Sequence, residues 1–531
     1  MGPYADCLHP FEGQNLGWLL EMQATLRPDH PHLVFEPFDA PGQMLTYRQF
    51  LSASRRLARG MQRCGVRRGD RVIVHLDNSP EFLIAFCGCA LLGAVAITTN
   101  TRSSVEELSY YIAKSRAVAA ITQPAHADTV ASAGRSLAWI AVTGNDCGVP
   151  APAGGHDRFD DLLDEEELPG TGPAAALDPV CVQFTSGTTS RPKGVVWTHA
   201  NALWAGRVSA THEALRPEDV HHCVLPLFHT NALSFSWLAT LWTGGTMVLQ
   251  PRFSSSRFWE VALRNRCSWA SITGFCYKAL ANVPLPDRHH FRNWGVAFSD
   301  PLVAETFRIP SVSWWAMTET LSHGIVGYPH LPTPYGAVGK AAPEYTLRVL
   351  RDDGTQVTIG ETGAIHIGGV RGVSLFLEYL DDPEATAAAF DGDGFFNTGD
   401  QATLLDNRFL KFADRRKDML KVGGENVASS EIERVVNGVD GVAESAVIGR
   451  PHPLRDEVPV AFVRVHGRLA VAGDEAVAEE VLSACRATLA DFKVPWEVHV
   501  VDEFPRANIG KIAKARLKAA LLGGHDLRSV P

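Results

Sequence analysis

Directly after the apolar run Val180-Cys181-Val182-Gln183-Phe184, the chain crowds hydroxyls, glycines and one lysine into ten residues: Thr185-Ser186-Gly187-Thr188-Thr189-Ser190-Arg191-Pro192-Lys193-Gly194. Backbone N–H groups freed by glycine, short Ser/Thr hydroxyls and the Lys193 ammonium are the donors that polyphosphate oxygens require. Pro192 limits how far the lysine stem can wander. The commoner GxxxxGK[ST] phosphate loop is excluded, because it needs glycine where Pro192 stands and a hydroxyl where Gly194 stands. A surface turn accounts for any four of these residues, but poorly for all ten in order.

At 531 residues with 45% hydrophobic content, the chain is too long for one core and apolar enough to fill two or more. Lys and Arg total 49 against 59 Asp and Glu, a net charge of −10, so neither nucleic acid nor an anionic membrane surface is an expected partner. The ten cysteines show no CxxC or metal-ligand spacing, and the closest pair is Cys87-x-Cys89. Reduced thiols and a cytoplasmic location are therefore expected. Residues 1–14 lack a basic segment followed by an apolar one, so no signal peptide is expected.

Residues 82–98 carry no charge and are about as long as the shortest membrane span, roughly 17 residues. Gly88 and Gly93 interrupt them, however, and Val95-Ala96-Ile97 reads as a strand. A buried helix leading into a core strand is expected, with no membrane span. Elsewhere β-rich runs at 71–76, 118–122, 139–143 and 246–249 alternate with helical stretches at 47–64 and 258–265. That rhythm predicts an α/β chain with largely parallel sheets. Residues 148–179 read as an irregular surface connection. The last hundred residues read as a small α+β domain, with strands at 443–448 and 459–465 and helices near 430–436 and 475–490.

Four further stretches follow the phosphate loop. They are Trp315-Ala316-Met317-Thr318-Glu319; Phe396-Asn397-Thr398-Gly399-Asp400; Asp414-Arg415-Arg416-Lys417-Asp418 with Lys421-Val422-Gly423-Gly424-Glu425-Asn426; and Pro505-Arg506-Ala507-Asn508-Ile509-Gly510-Lys511. In that order the five motifs resemble the ANL superfamily of adenylate-forming enzymes, across residues 45–517. The resemblance implies a large N-terminal adenylation domain, 1–414, of parallel-rich sheets with packed helices. It also implies a small mobile α+β domain, 415–531.

Several roles make physical sense beside the resemblance. Glu319 supplies the hard oxygen that Mg²⁺ prefers, and the resemblance adds Thr185 as a second ligand. Asp400 can accept both ribose hydroxyls at once. The resemblance places the permanent cation of Arg415 near that ribose. It also assigns the phosphates of ATP to Thr185, Ser186, Gly187, Thr188, Thr189 and Lys193, and further nucleotide contacts to Trp315 and Thr318. Lys511 would bridge the substrate carboxylate and the α-phosphate as charge builds. Lys417 matches the hinge, and Lys421, Gly423 and Gly424 would line the approach of a thiol.

The implied reaction activates a small-molecule carboxylic acid with ATP to acyl-AMP and then transfers the acyl group to CoA. His229, in Pro226-Leu227-Phe228-His229-Thr230, falls where CoA ligases of the superfamily carry His, and the Asp that holds an amino acid's ammonium is missing. Finer similarity, through Leu76 to Phe82, Phe184 to Val196 and Gly423 to Val427, points to carnitine/crotonobetaine-CoA ligases. Asn231, Ala232, Phe235, Ala297, Phe298 and Trp314 are the expected acyl pocket beside His229, and their bulk favours a compact acid. The resemblance leaves a homodimer open.

The chain departs from the superfamily near the substrate. Trp315-Ala316 replaces Tyr-Gly, the Gly-rich adenine-side loop is replaced by Val296-Ala297-Phe298-Ser299-Asp300-Pro301, and Asn508 stands for Thr. The competing readings are an acyl-AMP ligase that loads a carrier-protein phosphopantetheine and a catalytically impaired nucleotide-binding homologue.

Overall fold

The computed structural model describes residues 9–144, 157–185, 191–328, 331–415, 419–505, 512–523 and 527–528. The fold is mixed α/β, with a large N-terminal unit and a smaller one. The larger comprises the chain up to Thr101, then Tyr111–Phe184 and Gly194–Asp414; the smaller comprises Arg102–Tyr110, Thr185–Lys193 and the chain from Arg415.

Two large sheets organise the larger unit. One runs, in spatial order, Lys340–Ala341, Ile325–Val326, Ser311–Trp315, Asn293–Val296, Trp269–Ser271, Val220–Cys223, Thr246–Leu249, Pro31–Phe35 and Gln43–Thr46. Its central strands, from Ser311–Trp315 to Pro31–Phe35, are parallel. The other runs Glu378–Tyr379, Lys193–Thr198, Pro179–Thr185, Val95–Thr98, Arg71–His75, Ala119–Thr122, Trp139–Val142 and Asp157–Arg158. Parallel strands need helical crossovers, and their carboxyl ends collect the loops on which ligand sites form.

The uncharged run at 82–98 shows how sequence sets this architecture. Ser79 caps the helix Pro80–Leu92 by accepting the N–H of Phe82, Pro80 occupies the first turn, and Gly93 ends it at φ +77°. Almost every side chain of that helix is buried, and it leads into the core strand Val95–Thr98. Among the described residues no helix is long and apolar enough to cross a membrane. The connection at 148–179 is less irregular than its composition predicts. In its described part, Asp157–Arg158 extends the second sheet and Phe159–Leu162 makes one helical turn.

A four-stranded antiparallel sheet, Thr346–Leu350, Thr362–Gly368, Phe396–Leu404 and Leu410–Arg415, completes the larger unit. In the smaller unit the long strands Val442–His452 and Asp456–Val465 pair antiparallel. Ile432, Val436, Val477 and Val481, from the helices Ser429–Asn437 and Asp474–Thr488, pack with Val447 and Val463 in one core. A second core joins Leu517 of the helix Lys514–Gly523 to Ile448 and Phe462. Lys493 is buried between Glu107 and Glu431, so its charge is met by two carboxylates.

Gly60, inside the helix Tyr47–Arg63, lies against the one-turn helix, and a Cβ there would stand 1.6 Å from the Leu162 carbonyl oxygen. Helix propensity alone favours Gly60→Ala by about 1 kcal/mol. The backbone clash outweighs it, and a net loss of about 1–3 kcal/mol is expected in urea unfolding.

Candidate active site

The strand Pro179–Thr185 delivers Gln183 and Thr185 to its carboxyl end, and the next strand opens with Lys193. Ser186, Gly187, Thr188 and Thr189 lie outside the described residues. Gly194 has a packing reason for its identity, since a Cβ would meet Val182 at 2.9 Å and Leu380 at 3.1 Å. Within the larger unit, the Thr230 hydroxyl lies 3.0 Å from Gln183 Oε1 and 3.1 Å from Thr318 Oγ1. Both contacts are oriented for Thr230 to donate, and its one proton serves one of them at a time.

Glu319 follows the strand Ser311–Trp315 in a tight turn. The Trp197 indole donates to the Thr318 carbonyl at 2.9 Å, and the Phe376 amide donates to the Glu319 carbonyl at 2.9 Å. Leu321, just beyond, holds φ +66°, a conformation that non-glycine residues keep only where surroundings enforce it. The Glu319 carboxylate is 4% exposed and accepts a hydrogen bond from the Tyr379 hydroxyl at 3.0 Å. Burial and the Glu319 charge push Tyr379 far above its usual range, so it stays a donor.

Asp400 is 2% exposed, on the strand Phe396–Leu404. Gly399 holds φ +74° where the strand's pairing with Thr362–Gly368 shifts register, and the Asp400 amide donates to Thr398 Oγ1 at 3.1 Å. One carboxylate oxygen, Oδ2, accepts the Trp315 indole N–H at 2.8 Å. The substitution of Trp for Tyr thus keeps a polar end on the ring and points it at Asp400.

The surroundings of His229 are equally built. Asn78 donates to the carbonyls of Leu225 and Gln250 at 2.9 and 3.0 Å and accepts from the Leu227 amide at 2.8 Å. It thereby fixes the approach to His229, which is half-buried against Phe228 with ring centroids 4.6 Å apart. Asn231–Leu238 is then a π-helix, a form concentrated at functional sites. It buries Ala232 and Phe235, while Asn231 Oδ1 accepts from the Ser271 hydroxyl at 2.7 Å. Phe235 meets Trp314 edge-on at 5.2 Å. Gly295 makes room for Trp314, whose ring lies 1.7 Å from where a Cβ would stand. Ala297 and Phe298 sit exposed on the loop that follows.

In the smaller unit Lys421 is exposed, and Gly423 and Gly424 form a two-residue hairpin with φ +59° and +92°. Both glycines are thus required by the turn itself. Arg415 ends the strand Leu410–Arg415, and Lys417 and Lys511 lie outside the described residues. Motif reading missed Tyr379, Gln183, Thr230 and Asn78. Asn78, Gln183 and Thr230 each lay in a stretch already singled out, whereas Tyr379 had no signal.

The family model described as AMP-binding enzyme matches residues 20–380, and the AMP-binding enzyme C-terminal domain matches residues 431–511. A crotonobetaine/carnitine–CoA ligase from Salmonella paratyphi C is 31% identical over 522 residues, covering 95% of this chain and 99% of that protein. The structure of o-succinylbenzoate CoA synthetase from Bacillus subtilis matches with a TM-score of 0.79 at 26% identity, covering 94% of this chain and 98% of that one. The Mycobacterium tuberculosis fatty acyl CoA synthetase matches at 0.68 and 29%, covering 96% and 99%. With its motifs in order and both family models matched, the chain belongs to the AMP-binding enzymes, within the ANL superfamily of adenylate-forming proteins.

Proposed function

We infer that the protein is an AMP-forming acid–thiol ligase that converts a compact carboxylic acid to its CoA thioester. The observation that carries this reading is a pair of buried carboxylates, Glu319 and Asp400, each held by an aromatic donor. In the first step an acid oxygen attacks the α-phosphorus of ATP in line, the bond to pyrophosphate breaks, and acyl-AMP remains. In the second, the CoA thiol loses its proton and attacks the acyl carbonyl, the C–S bond forms, and AMP leaves with the electrons of the broken C–O bond.

Asp400 is suited to the ribose, because a carboxylate can accept both of its hydroxyls at once. Thr185 to Thr189 and Lys193 take the phosphates, with Thr318 and Arg415 as further nucleotide contacts and Lys421 lining the thiol's approach. Among the described residues no group of three or more acidic, His or Cys side chains forms a metal cage. One carboxylate, Glu319, with Thr185 suits Mg²⁺, which keeps waters and substrate phosphates as ligands. When bound, that ion neutralises charge on the pyrophosphate leaving group.

Lys511 carries the α-phosphate charge during adenylation, and residues 415–531 form the small domain that swings about Lys417 between the two steps. Gly423 and Gly424 let the thiol approach closely. His229, Asn231, Ala232, Phe235, Ala297, Phe298 and Trp314 bound the acyl group. The eight described cysteines are unbridged, which supports a cytoplasmic setting.

Release of pyrophosphate and AMP from ATP and Mg²⁺ tests this reading, across short, branched, betaine-like, aromatic and medium-chain acids, with and without CoA. Turnover with an acid only when CoA is present is expected. Turnover that requires a phosphopantetheinylated carrier protein would replace CoA as the acceptor, and no release with any acid would leave nucleotide binding alone.

Lys511→Ala should lower acyl-AMP formation by about 10²–10³-fold while sparing thioester formation from supplied acyl-AMP. Equal loss of both steps would remove the two-state role. Trp315→Phe deletes a hydrogen bond to a charged acceptor, worth about 1.5–3 kcal/mol. A rise of at least about tenfold in the KM for ATP is expected, with the KM for CoA unchanged.

A further inference from the structure

Five residues, 376–380, clamp the turn that carries Glu319 to the strand that leaves the phosphate loop. At one end the Phe376 amide donates to the Glu319 carbonyl at 2.9 Å. The Leu377 amide then donates to the Val196 carbonyl at 2.9 Å, and the Leu380 amide to the Gly194 carbonyl at 2.7 Å. Between those two bonds Tyr379 lies opposite Val195 in an antiparallel pair. From this position the Tyr379 hydroxyl donates to Glu319 Oε1 at 3.0 Å.

Tyr379 is itself held from several sides. Its amide donates to Thr386 Oγ1 at 3.0 Å, and the Thr386 hydroxyl donates to the Asp382 carbonyl at 2.8 Å. Thr386 is buried on the helix Pro383–Ala388, which Asp382 caps by accepting the Ala385 N–H at 2.9 Å. The Tyr379 ring tilts against Phe376 with centroids 4.8 Å apart. Backbone, ring and a neighbouring helix thus set where the hydroxyl stands. A glutamate's terminal torsion is broad and roughly two-fold, so the plane of its carboxylate is decided by the bonds it accepts.

We propose that Tyr379 is a positioning residue for the metal-binding carboxylate: its hydroxyl fixes the plane of Glu319, and the 376–380 segment fixes the separation of Glu319 from the strand beginning at Gly194. Donors that orient a ligating carboxylate typically govern metal affinity by about 10–100-fold. The same segment holds both the backbone and the side chain of Glu319, so one piece of chain sets the two coordinates on which the carboxylate's reach depends. The inference rests on Glu319 being the Mg²⁺ ligand of the proposed function. Tyr379 acts through Glu319 and has no place of its own in the chemistry.

The test uses Mn²⁺ in place of Mg²⁺ and follows its binding to the full-length protein by electron paramagnetic resonance, with saturating α,β-methylene-ATP and neither acid nor thiol present. Tyr379→Phe removes the hydroxyl and keeps the ring. It should weaken Mn²⁺ binding by about 10–100-fold while leaving the affinity for the analogue in EDTA and the KM for CoA unchanged. On a Glu319→Gln background the same substitution should change Mn²⁺ binding no further. Gly60→Ala, remote from the site, should lower the thermal midpoint and leave Mn²⁺ binding at the wild-type value, which separates positioning from lost stability. Thr386→Val keeps the hydroxyl but loses the bond to the Tyr379 amide; it should weaken Mn²⁺ binding by less, and it stands in if the first variant does not fold. Wild-type Mn²⁺ affinity in both variants, an equal loss of metal-free analogue binding, or no Mn²⁺ binding by the wild type overturns the proposal. Turnover of an acid with ATP and CoA by the wild type would then leave the ligase reading standing. The expected loss of Mn²⁺ affinity without turnover of any acid supports the proposal and instead removes the ligase reading.

Discussion

One buried hydroxyl ties together the three loops on which the candidate site depends. Thr230 joins Gln183, on the strand that leads into the phosphate loop, to Thr318, beside the metal-binding Glu319 of the proposed mechanism. Gln183 belongs to one large sheet, while Thr230 and Thr318 follow strands of the other. Leaving a buried donor or acceptor unmet costs about 1–3 kcal/mol. That penalty makes the relative placement of the two sheets' carboxyl ends a sharp condition. Asn78 reinforces it, spanning from the head of the helix Pro80–Leu92 to the turn before His229 with two hydrogen bonds and to Gln250 with a third.

Much of this was legible before any coordinates. The helix and strand at 82–98 followed from interruptions by glycine, and the paired strands and helices of the smaller unit followed from their periodicity. Glu319 and Asp400 stood out because they sit in motifs whose order is informative. What failed to show was every contact between distant positions. Tyr379 reaches Glu319 across 60 residues, and Trp315 reaches Asp400 across 85. Such pairs are set by how strands stack, and a single sequence carries no local signature of it. The connection at 148–179 misled for a related reason: its Pro, Gly and acidic composition concealed a strand that borrows its pairing from Trp139–Val142.

The two tryptophans at 314 and 315 illustrate why a departure from a motif need not abolish its chemistry. Successive residues of a strand face opposite ways, so the pair divides its work. Trp315 turns its N–H to Asp400. Trp314 turns into the core, where Gly295 on the neighbouring strand leaves space that any side chain would fill. Bulk gained at one position is thus matched by bulk absent at another, which is how a close-packed interior accepts a large ring.

That same packing makes a polar cluster behind Trp314 an exception. Interiors of this density ordinarily exclude unmatched polar atoms, and the buried Lys493 is met by Glu107 and Glu431. Among the described residues Glu213, His221 and His323 break that rule together, within one aromatic wall. Apolar residues of similar volume would serve stability at least as well there, since replacing buried ionisable groups by hydrocarbon is often neutral or stabilising.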